Sequence, residues 1–226
     1  MSKMILWHGS PMIIEHPDLG KGKEHNDYGR GFYCTESLEM AKEWASAMPG
    51  QDGYANCYEM DSTDMKILNL SEGRYHVLNW LAILAMNRDF RASTPLGIEG
   101  KEYIIREFGV DLMPYDIIRG YRADDSYFAF AKAFVNNSIT VEQLQKAMRL
   151  GKLGEQVVLK TEKAFHNLNF AGKEFADGAV YFAKREQRAR NAEKDFREII
   201  KENTKAGLYM IDILREGIKN EDLRLR

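Results

Sequence analysis

The chain has little of what marks a secreted, membrane-spanning or polyanion-coating protein. Its two cysteines, Cys34 and Cys57, are too few for a disulfide framework and show neither C-x-x-C nor His-associated spacing, so reduced, half-buried thiols and no metal site are expected. There is no excess of either charge. The formal net charge is -2, so the average field favours neither nucleic acid nor an anionic membrane, and any charged function has to be local. No apolar run approaches the ~20 residues that cross a bilayer. The longest nearly unbroken run, residues 77–86, is interrupted by Asn79. Lys3 is followed by only four apolar residues before His8, so a signal peptide is not expected, and the reading is a cytoplasmic protein with no membrane partner. Internal repeats and low-complexity tracts are also missing.

What is present is an ordinary globular composition, 44% hydrophobic, in a chain long enough to bury a sizeable core. Residues 4–7 read as a short buried strand, and Pro11, Pro17, Gly20 and Gly22 mark a long polar loop after it, where a ligand can enter. A second strand, 31–35, runs almost directly into a helix over 36–48, whose Leu38, Ala41, Ala45 and Met48 recur at helical spacing. A strand over 54–60 follows, then helices over 74–87 and 96–108. A strand over 115–120 precedes an aromatic-rich helix over 125–135. Thr140 and Gln143 form a capping box for a helix over 141–150 that Gly151 should close, and residues 155–161 make a late strand.

From Phe175 the chain turns charged and helical. The organisation expected is a compact α+β part over 1–174 with a helical C-terminal extension, 175–226, packed on or beside it. The basic cluster Lys184-Arg185-Glu186-Gln187-Arg188-Ala189-Arg190 reads as a solvated helix face paired with Glu186, Glu193, Asp195 and Glu198; the alternative is a patch facing phosphate or nucleic acid.

Two short motifs carry chemistry. Trp7-His8-Gly9-Ser10 places a histidine at the end of one apolar strand, and Gly29-Arg30-Gly31-Phe32-Tyr33 places a tyrosine inside the next. The glycines do not build a phosphate loop. Gly20-Lys21-Gly22-Lys23 lacks the second half of one, and Gly29-Arg30-Gly31 enters a strand instead of leaving one for a helix.

The two motifs resemble the first signatures of the ADP-ribosyltransferase superfamily in its histidine–tyrosine–glutamate branch, that of the poly-ADP-ribose polymerases and diphtheria toxin. More narrowly, Asp27-Tyr28-Gly29-Arg30-Gly31-Phe32-Tyr33-Cys34-Thr35, Trp44-Ala45, Tyr115-Asp116-Ile117-Ile118-Arg119-Gly120 and Ala123-Asp124-Asp125 resemble a family of uncharacterised bacterial proteins placed there. The resemblance covers residues 5–170. It implies an α+β fold of split, mostly antiparallel sheets around a cleft that takes NAD as substrate, without a metal. His8 would bind ribose hydroxyls, the Gly9 backbone the nicotinamide carboxamide, and Ser10 would sit on the adenosine side. Gly31 would line the site, Tyr33 would lie against the nicotinamide ring, and Trp44 would supply a second ring. Ala41 departs from the pattern, standing where the polymerases carry a carboxamide-binding serine.

The third signature, a glutamate opening a late strand, falls at Glu155-Gln156. Neighbouring strand residues face opposite ways, so only one reaches the cleft. The apolar run favours Gln156, whereas carboxylate chemistry favours Glu155. If Gln156 holds the place, the electrostatic share of catalysis would weaken or be supplied by another group, with Asp27, Asp124 and Asp125 as candidates. The implied activity is mono-ADP-ribosyl transfer to a protein or nucleic-acid acceptor; the rivals are an inactive NAD or ADP-ribose binding module and an NAD glycohydrolase. Toxin-like relatives extend the analogy to a neutralising partner.

Overall fold

A computed structural model of the chain describes residues 3–88, 91–123, 125–150, 154–202 and 207–225. Gly151 and Asp124 lie outside them. The architecture is α+β with two sheets. The first, in the order β1 (Lys3–Ser10), β3 (Gly53–Asp61), β7 (Leu168–Ala176), is antiparallel throughout. The second has the order β2 (Phe32–Cys34), β6 (Glu155–Leu159), β5 (Ile117–Tyr121), β4 (Ile67–Asn69), and only its β4–β5 pair is parallel.

The sheets face each other across a small core made by Met4 and Leu6 of β1, Phe32 and Cys34 of β2, Tyr58 and Met60 of β3, and Val157 and Leu159 of β6. Alternation does this: every second residue of each strand points inward. At one place the sheets also share backbone bonds. Trp7 N–H donates to the Thr35 carbonyl at 2.7 Å and Thr35 N–H to the Trp7 carbonyl at 2.9 Å, an isolated antiparallel bridge that holds the start of the His8 motif beside the end of the Tyr33 motif.

A larger core lies under the helices. It gathers α2 (Val77–Asn87), α3 (Pro95–Phe108), α4 (Asp125–Val135) and α5 (Val141–Ala147) against the other face of the second sheet. Asn79, the polar interruption of the apolar run, sits in the first turn of α2. Its Oδ1 accepts His76 N–H at 3.0 Å, and its Nδ2 donates to the Phe108 carbonyl at 3.0 Å, so it joins two helices without leaving a buried amide unpaired. The expected capping box is present, with Thr140 N–H donating to Gln143 Oε1 and Gln143 N–H to Thr140 Oγ1.

Several boundaries move. β1 runs on to Ser10, so His8 is inside the strand and not at its end. The first helix is shorter than expected, α1 (Leu38–Ala45), capped by Ser37 at 3.3 Å from Met40 N. β7 carries strand structure through Phe175 to Ala176, so the boundary expected at 174 falls within it, and α7 (Gly178–Lys201) starts three residues later than the expected change. α7 packs on α1, α4 and α5, with the Phe196 and Phe130 ring centroids 4.0 Å apart. α6 (Glu162–His166) and α8 (Met210–Glu216) are short connectors. Among the described residues no helix is long and apolar enough to cross a membrane.

Candidate functional site

A cleft of about 580 Å³ opens where the two sheets diverge, and it brings together His8, Gly9, Ser10, Tyr33, Trp44 and Gln156. A neighbouring cavity of about 690 Å³ shares His8 and Tyr33 with it and is walled by residues 12–18 of the loop after β1. Gly31 lines this second cavity and not the first. Asn56, a fully buried amide of β3, anchors the start of that loop. Its Nδ2 donates to the Met12 carbonyl at 3.1 Å, and its Oδ1 accepts Ile14 N–H at 3.0 Å.

His8 is oriented from two sides. Its Nδ1 lies 2.7 Å from the Tyr33 carbonyl oxygen, which only accepts, so Nδ1 carries the proton and Nε2 is left as an acceptor. Its ring stacks on Phe32 with centroids 4.3 Å apart. Burial lowers the pKa of His8 below the ordinary 6.5 and keeps the ring neutral, although the bond to Tyr33 opposes this. Tyr33 is also fixed: its hydroxyl donates to the Gly29 carbonyl at 2.6 Å and accepts Tyr28 N–H at 3.0 Å. Burial pushes its phenol far above the ordinary range, so it stays neutral and presents a ring.

Gly9 has a packing reason to be glycine. A Cβ there would collide with the Ala41 carbonyl oxygen and lie 2.7 Å from both Ala45 N and Trp44 Cβ, so α1 can approach β1 only over a bare backbone. Ala41 is wholly buried in that contact. The Ser10 hydroxyl accepts Met12 N–H at 3.2 Å, closing the turn after β1. Trp44 reaches the cleft from α1, but the Arg122 guanidinium lies over its ring, 4.3 Å from the centroid, and its indole N–H has no partner among the described residues.

The strand alternation of β6 separates the two late candidates. Gln156 points into the cleft floor and is 3% exposed. Its Nε2 donates to Asp27 Oδ2 at 2.8 Å and to the Tyr121 carbonyl at 3.1 Å. That carbonyl also receives the Tyr28 hydroxyl at 2.8 Å and the Trp80 indole N–H at 3.1 Å. Glu155 goes the other way, bonded to the Ser71 hydroxyl and 3.7 Å from Arg119 Nε, and is not brought to the cleft. Of the two late-strand alternatives, the structure brings Gln156 to the cleft and leaves Glu155 outside it. Asp27, also 3% exposed, accepts Arg88 Nη1 at 2.7 Å on Oδ1 and Ala123 N–H at 2.9 Å on Oδ2. Asp125 is the first residue of α4.

Sequence reasoning did not single out Lys23, Arg88 or Arg122, and met Arg185 only within the basic cluster. Among the described residues, Lys23, Arg88, Arg122 and Arg185 line the cleft against the one acid Asp27, a field that suits an anionic ligand. Arg185 comes from α7, within the basic cluster, whose other members are spent inside the molecule: Lys184 bonds Glu39 at 2.9 Å, and Arg188 makes a two-pronged pair with buried Glu43 at 2.6 and 3.0 Å. Arg190 pairs with Glu186 on the same helix. The signal available was the coincidence of acids on α1 with bases at helical spacing on α7, but only the fold says that these two faces meet. Cys34 and Cys57 are unpaired, and burial raises both thiols. Among the described residues no group of three or more His, Cys, Asp or Glu is placed to hold a metal ion.

A family model described as "Protein of unknown function (DUF3990)" matches residues 4–170, which span both sheets up to the third residue of β7. No curated protein and no solved structure matches the chain significantly.

Proposed function

This chain belongs to the DUF3990 family, and we propose that it transfers ADP-ribose from NAD to a macromolecule and releases nicotinamide, on a fold of the ADP-ribosyltransferase type. One observation carries the reading. His8, Gly9, Ser10, Tyr33, Trp44 and Gln156, which the motif resemblance assigned to one site, come from four elements and line one cleft.

The chemistry asked of them is modest. The bond between ribose C1′ and the pyridinium nitrogen breaks, its electron pair neutralises the departing nicotinamide, and an acceptor nucleophile forms the new bond to C1′ as it loses its proton. His8 Nε2, a neutral acceptor, accepts a hydrogen bond from a ribose hydroxyl. The Tyr33 ring lies against the nicotinamide, worth roughly 0.5–2 kcal/mol for a cationic ring. Arg122 already covers one face of Trp44, so a second cation is not stacked on that face, and Lys23, Arg122 and Arg185 instead suit the diphosphate. Gln156 offers its carbonyl oxygen to the nicotinamide ribose.

A binding module without turnover is the second reading, favoured by the neutral Gln156. Incubation with NAD labelled in its adenosine part separates the cases. Label on a protein or nucleic acid supports transfer, free labelled ADP-ribose points to hydrolysis, and saturable binding with neither product points to the module. His8→Ala and Tyr33→Ala each remove at least 90% of the activity found, about 1.4 kcal/mol of transition-state binding per tenfold. Full activity in both variants overturns the site.

A further inference from the structure

Position 156 is surrounded by acceptors. Of the groups bonded to its amide nitrogen, one is the Asp27 carboxylate at 2.8 Å and the other the Tyr121 carbonyl at 3.1 Å. A primary amide has two N–H donors, and both are used here. The side chain cannot flip without setting its oxygen against two other oxygens, so its own carbonyl is left as the group it presents. A glutamate at 156, of almost the same shape, would place carboxylate against carboxylate in a site from which water is nearly excluded. Asp27, in turn, is held in place by Arg88 Nη1 at 2.7 Å and by Ala123 N–H at 2.9 Å.

We propose that Asp27 and Gln156 form a relocated carboxylate: Asp27, anchored from behind by Arg88, is a positioning residue that fixes the Gln156 carbonyl toward the reacting sugar and, by accepting the amide N–H, polarises that carbonyl oxygen. The cleft is thus built for glutamine and rejects glutamate while Asp27 is present. The functional half of this proposal rests on the NAD reading above; the electrostatic half does not.

The test is a charge exchange in the full chain, with Gln156→Glu, Asp27→Asn and the double variant followed by thermal unfolding and by NAD turnover from pH 5 to 8.5. Q156E is expected to lower the Tm most at pH 8.5 and least at pH 5. The sign follows from linkage: repulsion raises the folded pKa of the new carboxyl, so its stability is regained as pH falls and the protonated acid donates to Asp27. D27N/Q156E is expected to unfold at a higher temperature than Q156E at pH 8.5, a non-additive cycle. In turnover, D27N is expected to lower kcat about tenfold with KM within about twofold, because a misaimed acceptor weakens the transition state more than binding. A Q156E deficit independent of pH, or additive with D27N, overturns the electrostatic pair, and Q156E alone decides this if D27N does not fold. An unchanged kcat in D27N, with wild-type turnover measurable, overturns the positioning role. Wild-type protein that neither binds nor consumes NAD refutes the parent reading and with it the functional half, while the unfolding data still decide the electrostatic one.

Discussion

The two walls of the cleft are held by different forces. His8 and Tyr33 stand on a wall of stacked rings and backbone bonds, with Phe32 beneath the imidazole and edge-on to Tyr58 at 5.5 Å, continuous with the core between the sheets. Gln156 stands on a wall of charge, where Asp27 and Arg88 meet in a nearly dry floor. The first wall answers to volume and the second to proton balance. Substitutions that are gentle in one are severe in the other.

The largest effect is expected from Phe32→Ala, which empties the space under His8 and costs about 3–5 kcal/mol in urea unfolding. Its deficit should be the same at pH 7.5 and pH 8.5, above the range in which His8 gains a proton; a strong pH dependence there would merge the two walls into one. Arg88→Met comes next, at about 3 kcal/mol, because it strands a buried carboxylate whose guanidinium partner is 25% exposed. Adding Asp27→Asn should shrink the deficit, because the stranded carboxylate is then gone; an additive double variant would uncouple the two groups. The smallest effect belongs to His8 itself. Since burial lowers its pKa below 6.5, its neutral form is favoured in the folded state, and stability falls as pH drops below about 6.5, by at most about 1.4 kcal/mol per pH unit. His8→Asn, which does not titrate, should remove that slope; a persisting slope would assign it elsewhere.

The first wall was the legible one. Its residues lie in short motifs on strands with strong apolar patterning, and alternation alone limited position 155 or 156 to one cleft residue. The second wall was half visible: Asp27 was a candidate charge, but its partners lie 61 residues away at Arg88 and 129 away at Gln156, and long-range pairing has no local pattern to betray it. β4 escaped because it has three residues, too few to show a period. β7 escaped because, as an edge strand bearing Lys173 and Glu174, it has the charged face that edges use against aggregation and that mimics a helix surface in sequence. The basic cluster was read as facing solvent or phosphate; in the folded chain it mainly clamps α7 to α1, and so steadies the helix that carries Trp44.

The paired bonds between Trp7 and Thr35 have one more consequence. They act as a pivot pin between the two sheets, set one residue from His8 and two from Tyr33, so the jaws cannot part there without dismantling the imidazole's own seat. The connection between β1 and β2, tied at Met12 and Ile14 to Asn56, is thus the wall of the neighbouring cavity that this pin does not hold.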